Sequence, residues 1–423
     1  MVNIALAVVA VLCIVFVAAN LMTAEKRVDH KVKRLYSAED PEFLRVMGTL
    51  LGPPVIPGNR YSVLVNGDQI FPAMLDAIRK AEHTIDMETY IYWSGAIGRA
   101  FADALTERAK SGIKVHVLLD WVGTAKMDEA LIDELKSAGV EVLKYHKPHW
   151  TGLGKLNNRT HRKLLVVDGQ VGFTGGVGIA EQWTGNAQDL DHWRDTHFKV
   201  EGPVVGQMQS VFMDNWIKAA GTVLHGVEYF PPLQPEQPVS DGLAQVFSSS
   251  PSGGSASMEL MYLLSITAAK RSIRLSSSYF VPNDMAVNAF LAAMKRGVKV
   301  EIITPGKHID SDAVREASRA KWGPLLAAGA EISEYQPTMY HVKVMIVDEF
   351  MVSTGSTNFD ERSFRLNDEA NLNIYDAAFA KEQVGVFEDD LAKSRRITFE
   401  MWKARPLREK IAEKFASLLD SQL

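Results

Sequence analysis

Cysteine is almost absent. The 423-residue chain has one, Cys13, so no intrachain disulfide can form and no cysteine-based metal site can be built. That usage fits a reducing compartment. A basic excess is missing too: 51 Asp and Glu outweigh 46 Lys and Arg, for a net charge of −5. Proteins that live by gripping nucleic acid usually carry the opposite balance, so no nucleic-acid partner is expected. There is no long disordered composition either. Hydrophobic residues make up 47% and charged residues 23%, the mix of a folded chain. The length exceeds one ordinary core and suits two domains or two fused halves.

Residues 2–22, VNIALAVVAVLCIVFVAANLM, break this globular pattern, with Asn3 and Asn20 as the polar interruptions. A bilayer-spanning helix needs about 20 such residues. A cleaved signal peptide is the rival reading, but no Lys or Arg precedes the apolar run, which favours a retained transmembrane anchor. Lys26, Arg27, Lys31, Lys33 and Arg34 follow it, against Glu25 and Asp29. The positive-inside rule then keeps the body in the cytoplasm. The same basic cluster would sit against an anionic leaflet.

Proline and glycine divide the rest. Pro53, Pro54, Pro57 and Gly58 close a basic juxtamembrane segment, 23–60. Pro231, Pro232, Pro235 and Pro238, then a Ser/Gly-rich stretch ending at Ser255, make a linker over 231–255. The expected units are a first half (61–230), a second half (256–390) and a C-terminal helix (391–423). The halves read as a repeat. The strand-like run His83–Tyr92 corresponds to Arg271–Phe280, the turn Gly112-Ile113-Lys114-Val115 to Gly297-Val298-Lys299-Val300, and Ala138–Val142 to Ala328–Ile332. The order β-α-β-α-β predicts an α/β fold, each half a mostly parallel sheet flanked by helices.

At the equivalent place in each half stands one pattern, H-x-K-x4-D: His161, Lys163 and Asp168, then His341, Lys343 and Asp348. Residues two apart on a strand share a face, so each His and Lys point the same way. Both are costly to desolvate and need partners, for which an anionic phosphate is suited. Asp168 and Asp348 fall on the other face by parity and are expected to support the site more than to touch substrate. Asp168-Gly169 reads as a hairpin turn. One such pattern arises by chance in roughly a few per cent of chains this long; two in equivalent places of a repeat do not. Small residues follow each: Gly175-Gly176, and Gly355-Ser356 with Asn358.

With these motifs the chain resembles the phospholipase D superfamily, and within it the bacterial cardiolipin synthases. The resemblance covers about Tyr61 to the C-terminus. It rests also on Tyr90-Ile91-Tyr92, on Trp193–His197 and on the run Asn358–Leu372. It implies pseudo-twofold halves whose two signatures meet in one pocket, so that a monomer can build a complete site. It implies that one histidine attacks phosphorus while the other serves as acid and base. Family habit makes His161 the nucleophile and His341 the acid/base. Lys163, Lys343, Asn358, Gly175, Gly176, Gly355 and Ser356 would bind phosphate oxygens. Asp195 and Glu369, paired in the repeat, would orient the histidines. No metal or other cofactor is expected. The implied substrate is phosphatidylglycerol, in a single-pass enzyme of the bacterial inner membrane. Water as acceptor, a nucleic-acid substrate and a non-catalytic lipid binder are the alternatives. One departure is visible: the family's asparagine, present as Asn358, is replaced by Gly178 in the first half.

Two stretches stay open. The segment 146–160, longer than its counterpart 336–340, holds His146, His149 and Trp150; it suits a lip over the pocket, a lipid contact or a plain loop, and its histidines are not read as a metal site. Leu407, Ile411, Phe415 and Leu418 at helical spacing predict a helix packed on the core, with membrane contact as the lesser reading.

Overall fold

A computed structural model describes residues 9–15, 30–147, 157–232, 240–251 and 257–417. Most of the apolar segment 2–22, with Lys26, Arg27, His149, Trp150 and Leu418, lies outside them. Among the described residues no helix is long and apolar enough to cross a membrane.

The first half contributes β1 (Ile56–Val65), β2 (Thr84–Thr89), β3 (Lys114–Asp120), β4 (Glu141–Tyr145), the short β5 (Arg159–Thr160), β6 (Leu164–Val167), β7 (Val171–Gly175) and β8 (Thr196–Glu201). The second contributes β9 (Gly242–Ser249), β10 (Ser272–Ser277), β11 (Lys299–Pro305), β12 (Glu331–Tyr335), β13 (Lys343–Val347), β14 (Met351–Gly355), β15 (Asn367–Tyr375) and β16 (Ser394–Ile397). They form one sheet in the order β16-β12-β11-β10-β13-β14-β15-β9-β1-β8-β7-β6-β2-β3-β4, with β5 paired to β15 off this path. Read outward from the β9–β1 pair, the order is the same in both directions, with β16 added at one edge. The repeat in the sequence is thus a repeat in topology.

The sheet is mixed, which corrects the expectation of mostly parallel halves. Within each half only β2-β3-β4 and β10-β11-β12 run parallel; the short β5 adds a parallel pairing with β15 across the halves. The signature strands β6 and β13 pair antiparallel on both sides. The cause is local. Asp168 and Gly169 adopt φ of 54° and 62°, and Asp348 and Glu349 adopt 54° and 55°. Two successive left-handed residues make a tight hairpin, and a hairpin forces antiparallel pairing.

Helices follow the parallel strands as crossovers: α1 (Ala96–Lys110) after β2 and α2 (Glu129–Ser137) after β3, matched by α3 (Asp284–Lys295) and α4 (Asp312–Ala327) in the second half. Each half has its own outer core, around Phe101 and Leu119 in the first and Phe290 and Ile302 in the second. A third core joins them, with Phe198 and Trp216 from the first half against Leu372 and Phe379 from the second. Burying an aromatic or aliphatic side chain of this size contributes about 1.5–3 kcal/mol, so this shared core fixes the two signatures in one frame.

Candidate active site

Both signatures sit where the two halves meet, and each histidine is held by the half it does not belong to. His161 Nδ1 lies 3.0 and 3.2 Å from the two carboxylate oxygens of Glu369, on β15. His341 Nδ1 lies 2.7 Å from Asp195 Oδ2, at the start of β8. The backbone repeats the exchange. The N–H of His161 donates to the carbonyl of Asp368 (2.9 Å), and that of His341 to the carbonyl of Arg194 (2.7 Å). Each histidine is therefore fastened twice to a neighbouring pair, Asp368-Glu369 or Arg194-Asp195. A carboxylate accepts only, so Nδ1 carries the hydrogen in both rings and Nε2 is left with its lone pair.

The lysines complete the cluster. Lys163 Nζ donates to the His161 carbonyl at 2.9 Å. Lys343 Nζ donates to the His341 carbonyl (2.9 Å) and to Ser278 Oγ (2.7 Å), and stands 3.3 Å from His341 Nε2. Burial pulls the Lys163 ammonium down to about 7, with the Lys343 charge adding to it. Burial likewise brings Lys343 down to about 8. His161 falls to about 4 and His341 to about 3; burial leads in both, and the lysine charges reinforce it. Burial alone would raise Asp195 and Glu369, but their histidine and lysine partners outweigh it and hold both carboxylates below their ordinary range. At neutral pH the site thus has two neutral imidazoles, two ionised carboxylates and lysines poised to gain from an anion.

The two carboxylates are held differently. Ser356 Oγ donates to Glu369 Oε2, and Asn367 Nδ2 adds a bond at 3.2 Å. At the matching position Gly176 leaves no room, since a Cβ there would stand 2.3 Å from Asp195 Oδ1. Trp183 Nε1 supplies the missing donor at 3.0 Å, and the Thr196 N–H adds another at 2.8 Å. The rings of Trp183 and Trp193 flank His341, with centroids 5.3 and 5.6 Å away. Tyr90 takes that place beside His161 at 5.3 Å.

Two further expectations meet their geometry here. Gly178 cannot be the family's asparagine, because a Cβ there would stand 2.7 Å from Ile91 Cβ. Asn358 is buried and makes no side-chain hydrogen bond among the described residues; its Oδ1 is unpartnered. Gly355 and Gly175 press on the strand that carries the orienting carboxylate: a Cβ would meet the Ala370 carbonyl at 2.2 Å or His197 Nδ1 at 2.6 Å.

Asp168 and Asp348, the third members of the two signatures, lie apart from the histidines and lysines. Five residues of extended chain, roughly 16 Å, separate each from its lysine. Asp168 accepts the backbone N–H groups of Glu82 (2.9 Å), His83 (2.7 Å) and Thr84 (2.8 Å). Asp348 accepts those of Lys270 (2.8 Å), Arg271 (2.6 Å) and Ser272 (3.0 Å). Each ties the signature hairpin to the start of the neighbouring strand. A surface cleft of about 1140 Å³ at that end includes Asp168 but none of the signature histidines or lysines.

Sequence reasoning missed Trp183, Ser278 and Asp120. Ser278 was within reach, since it matches Tyr90 in the repeat and both adjoin a signature lysine (Lys163 Nζ lies 5.8 Å from the Tyr90 ring centroid). Asp120 ends β3 and accepts the Thr160 N–H at 2.9 Å, holding the strand that leads to His161. Trp183 has no counterpart in the second half and left no signal. His146 pairs with Asp368 at 2.9 Å and so props the carbonyl that receives the His161 N–H. Among the described residues no group of three or more His, Cys, Asp or Glu is placed to hold a metal ion.

The family model described as "Cardiolipin synthase, PLD-like domain" matches residues 74–216 and 262–391, one stretch per half. The cardiolipin synthase of Geobacillus kaustophilus is 36% identical over 372 residues, covering 88% of this chain and 74% of that protein. Cardiolipin synthase 1 of Bacillus anthracis is 31% identical over 407 residues, covering 94% and 79%. Among solved structures, phosphatidylserine synthase from Haemophilus influenzae superposes with a TM-score of 0.68 at 12% identity, covering 90% of this chain and 100% of that one. That likeness speaks to fold alone. The chain is an enzyme of the phospholipase D and phosphatidyltransferase superfamily and belongs to its cardiolipin synthase family.

Proposed function

We propose that this enzyme transfers a phosphatidyl group between two phosphatidylglycerols, yielding cardiolipin and glycerol. The observation that carries the reading is the crossed pair of His–carboxylate contacts, which fixes Nδ1 of each histidine and leaves Nε2 as the nitrogen with the lone pair. The sequence relatives supply the substrate class.

In the first step His161 Nε2 attacks the phosphorus of the donor lipid, and the bond from phosphorus to the glycerol oxygen breaks. His341 Nε2 delivers the proton that the leaving alcohol needs. Both imidazoles are neutral before substrate binds, so His341 must gain its proton as it does. The phosphodiester brings the negative charge that opposes Lys163 and Lys343 and raises the proton affinity of His341. In the second step the hydroxyl of another phosphatidylglycerol gives its proton to His341 and attacks the phosphohistidine. The phosphorus–nitrogen bond breaks and His161 returns neutral. Splitting one displacement into two in this way is the gain from covalent catalysis. Lys163, Lys343 and Asn358 Nδ2 serve the non-bridging oxygens, where charge builds. Ser356 acts through Glu369, since its hydroxyl is committed there.

The apolar run 2–22 and the cations after it support a membrane location with the catalytic body on the cytoplasmic side. The test uses purified full-length protein in detergent micelles with phosphatidylglycerol alone, with and without EDTA, and products separated by mass. Cardiolipin and free glycerol are expected, and neither from the His161→Ala or His341→Ala proteins. Phosphatidic acid as the main product would replace this reading with hydrolysis. Lipid left intact while single-stranded DNA is cut would end the lipid reading.

A further inference from the structure

The C-terminal helix is not packed as its hydrophobic pattern predicts. In α5 (Leu407–Ala416) the stripe Leu407, Ile411 and Phe415 faces outward, with 72%, 48% and 68% of each residue exposed. The contact with the body is made instead by acids and a small residue. Glu413 is buried and stands 3.7 Å from Arg319 on α4, Glu409 meets the same arginine at 3.0 Å, and Ala416 is buried. Helical spacing sets Arg408 on one side of the apolar stripe and Lys410 and Lys414 on the other. All three cations are exposed, and none has an ion pair among the described residues.

An apolar stripe flanked by cations, with its acids turned inward, matches an anionic bilayer surface in both polarity and charge. A protein partner would need only the apolar stripe; the segregation of charge is what favours lipid. Position supports the same occupant. Ala416 shares a small apolar cluster with Val281, Val314 and Ala317, against which Tyr279 and Ile309 pack. Tyr279 follows Ser278, the partner of Lys343, and bonds Asp310 at 2.8 Å. The helix therefore ends against the wall of the catalytic site.

We infer that α5 is a membrane-docking helix that seats the mouth of the active site on an anionic leaflet, resting on the reading of a lipid substrate. Docking of this kind matters for substrate held in a bilayer and not for substrate presented in micelles.

The test uses the full-length protein in proteoliposomes of phosphatidylglycerol and phosphatidylcholine. A bimane is placed at Ile411→Cys, or at Lys110→Cys, the exposed last residue of α1 beside the start of β3, each in a Cys13→Ser background. Nitroxide-labelled lipids are expected to quench the first and not the second. The triple variant Leu407→Ser, Ile411→Ser, Phe415→Ser should lose about tenfold of its activity on vesicles. It should keep its micellar activity within about twofold. Removing the flanking cations (Arg408→Gln, Lys410→Gln, Lys414→Gln) should abolish the salt dependence of quenching. Equal quenching at both positions, or a triple variant fully active on vesicles, overturns the proposal. So does shielding of position 411 by protein, seen as protection from aqueous iodide without lipid quenching. If the parent protein turns over no lipid, the catalytic reading fails while the quenching result still decides the docking helix.

Discussion

Replacing Asp195 by asparagine changes no volume and tests the crossed architecture directly. The Asp195 carboxylate is 1% exposed and faces donors only: His341 Nδ1 at 2.7 Å and Trp183 Nε1 at 3.0 Å on Oδ2, and the Thr196 N–H at 2.8 Å on Oδ1. An amide has one acceptor oxygen and one donor nitrogen. If its oxygen takes the Oδ2 place, the amide nitrogen opposes the Thr196 N–H and leaves a buried donor unpaired, at about 1–3 kcal/mol of stability. If its nitrogen takes that place, it opposes Trp183 and forces the His341 hydrogen onto Nε2, where a proton must be accepted. The wrong tautomer in a comparable triad costs about 10⁴-fold in kcat, so a fall of about 10²–10⁴ is expected here. The unpaired donor predicts a melting temperature a few degrees lower, with the fold retained. Trp183→Phe removes one donor and leaves the tautomer intact, for a loss of about tenfold. The assay is the initial rate of phosphatidylglycerol turnover in micelles, beside a thermal melt of each protein. A folded Asp195→Asn enzyme within about threefold of the parent rate would refute the claim that the first half sets the tautomer of the second half's histidine.

Other outcomes follow from the same geometry. The lysines bind phosphate only when charged, and they lose that charge as pH rises through about 7 for Lys163 and about 8 for Lys343. kcat/KM should therefore fall on the alkaline side in that range; the limb in kcat should lie higher, because bound phosphate holds the protons on. A kcat/KM that stays flat to pH 10 would contradict it. Asp168→Asn should cost about 2–3 kcal/mol by denaturant titration, through its three backbone donors, while the folded protein keeps its rate within about threefold. A catalytic Asp168 would give the reverse. Gly178→Asn, which restores the family's residue, should destabilise by at least about 2 kcal/mol through collision with Ile91, and should not raise kcat.

Local pattern was enough for much of this protein. Paired H-x-K-x4-D motifs at equivalent points of a repeat identify the chemistry, because catalysis needs those side chains at that spacing on an extended strand. Asp168 and Asp348 belong to the same motifs, but only the fold shows their carboxylates taken up by the backbone N–H groups at the start of the neighbouring strands. The turn Asp168-Gly169 already implied an antiparallel partner, and weighing it against the parallel crossovers would have yielded a mixed sheet. Other features have no sequence signal, because they depend on which distant residues share a surface. The repeat pairs Asp195 with Glu369 but does not say that each serves the other half's histidine; only the packing of the halves decides that. Trp183 takes the place of a serine that Gly176 cannot be, a substitution across chain positions that no repeat alignment shows. The stripe of α5 reads the same whether it faces the core or the solvent. Tertiary structure decided its direction: Arg319 on α4 stands opposite Glu409 and Glu413, and an acid turned inward needs such a partner, so the acids face the body and the stripe faces out.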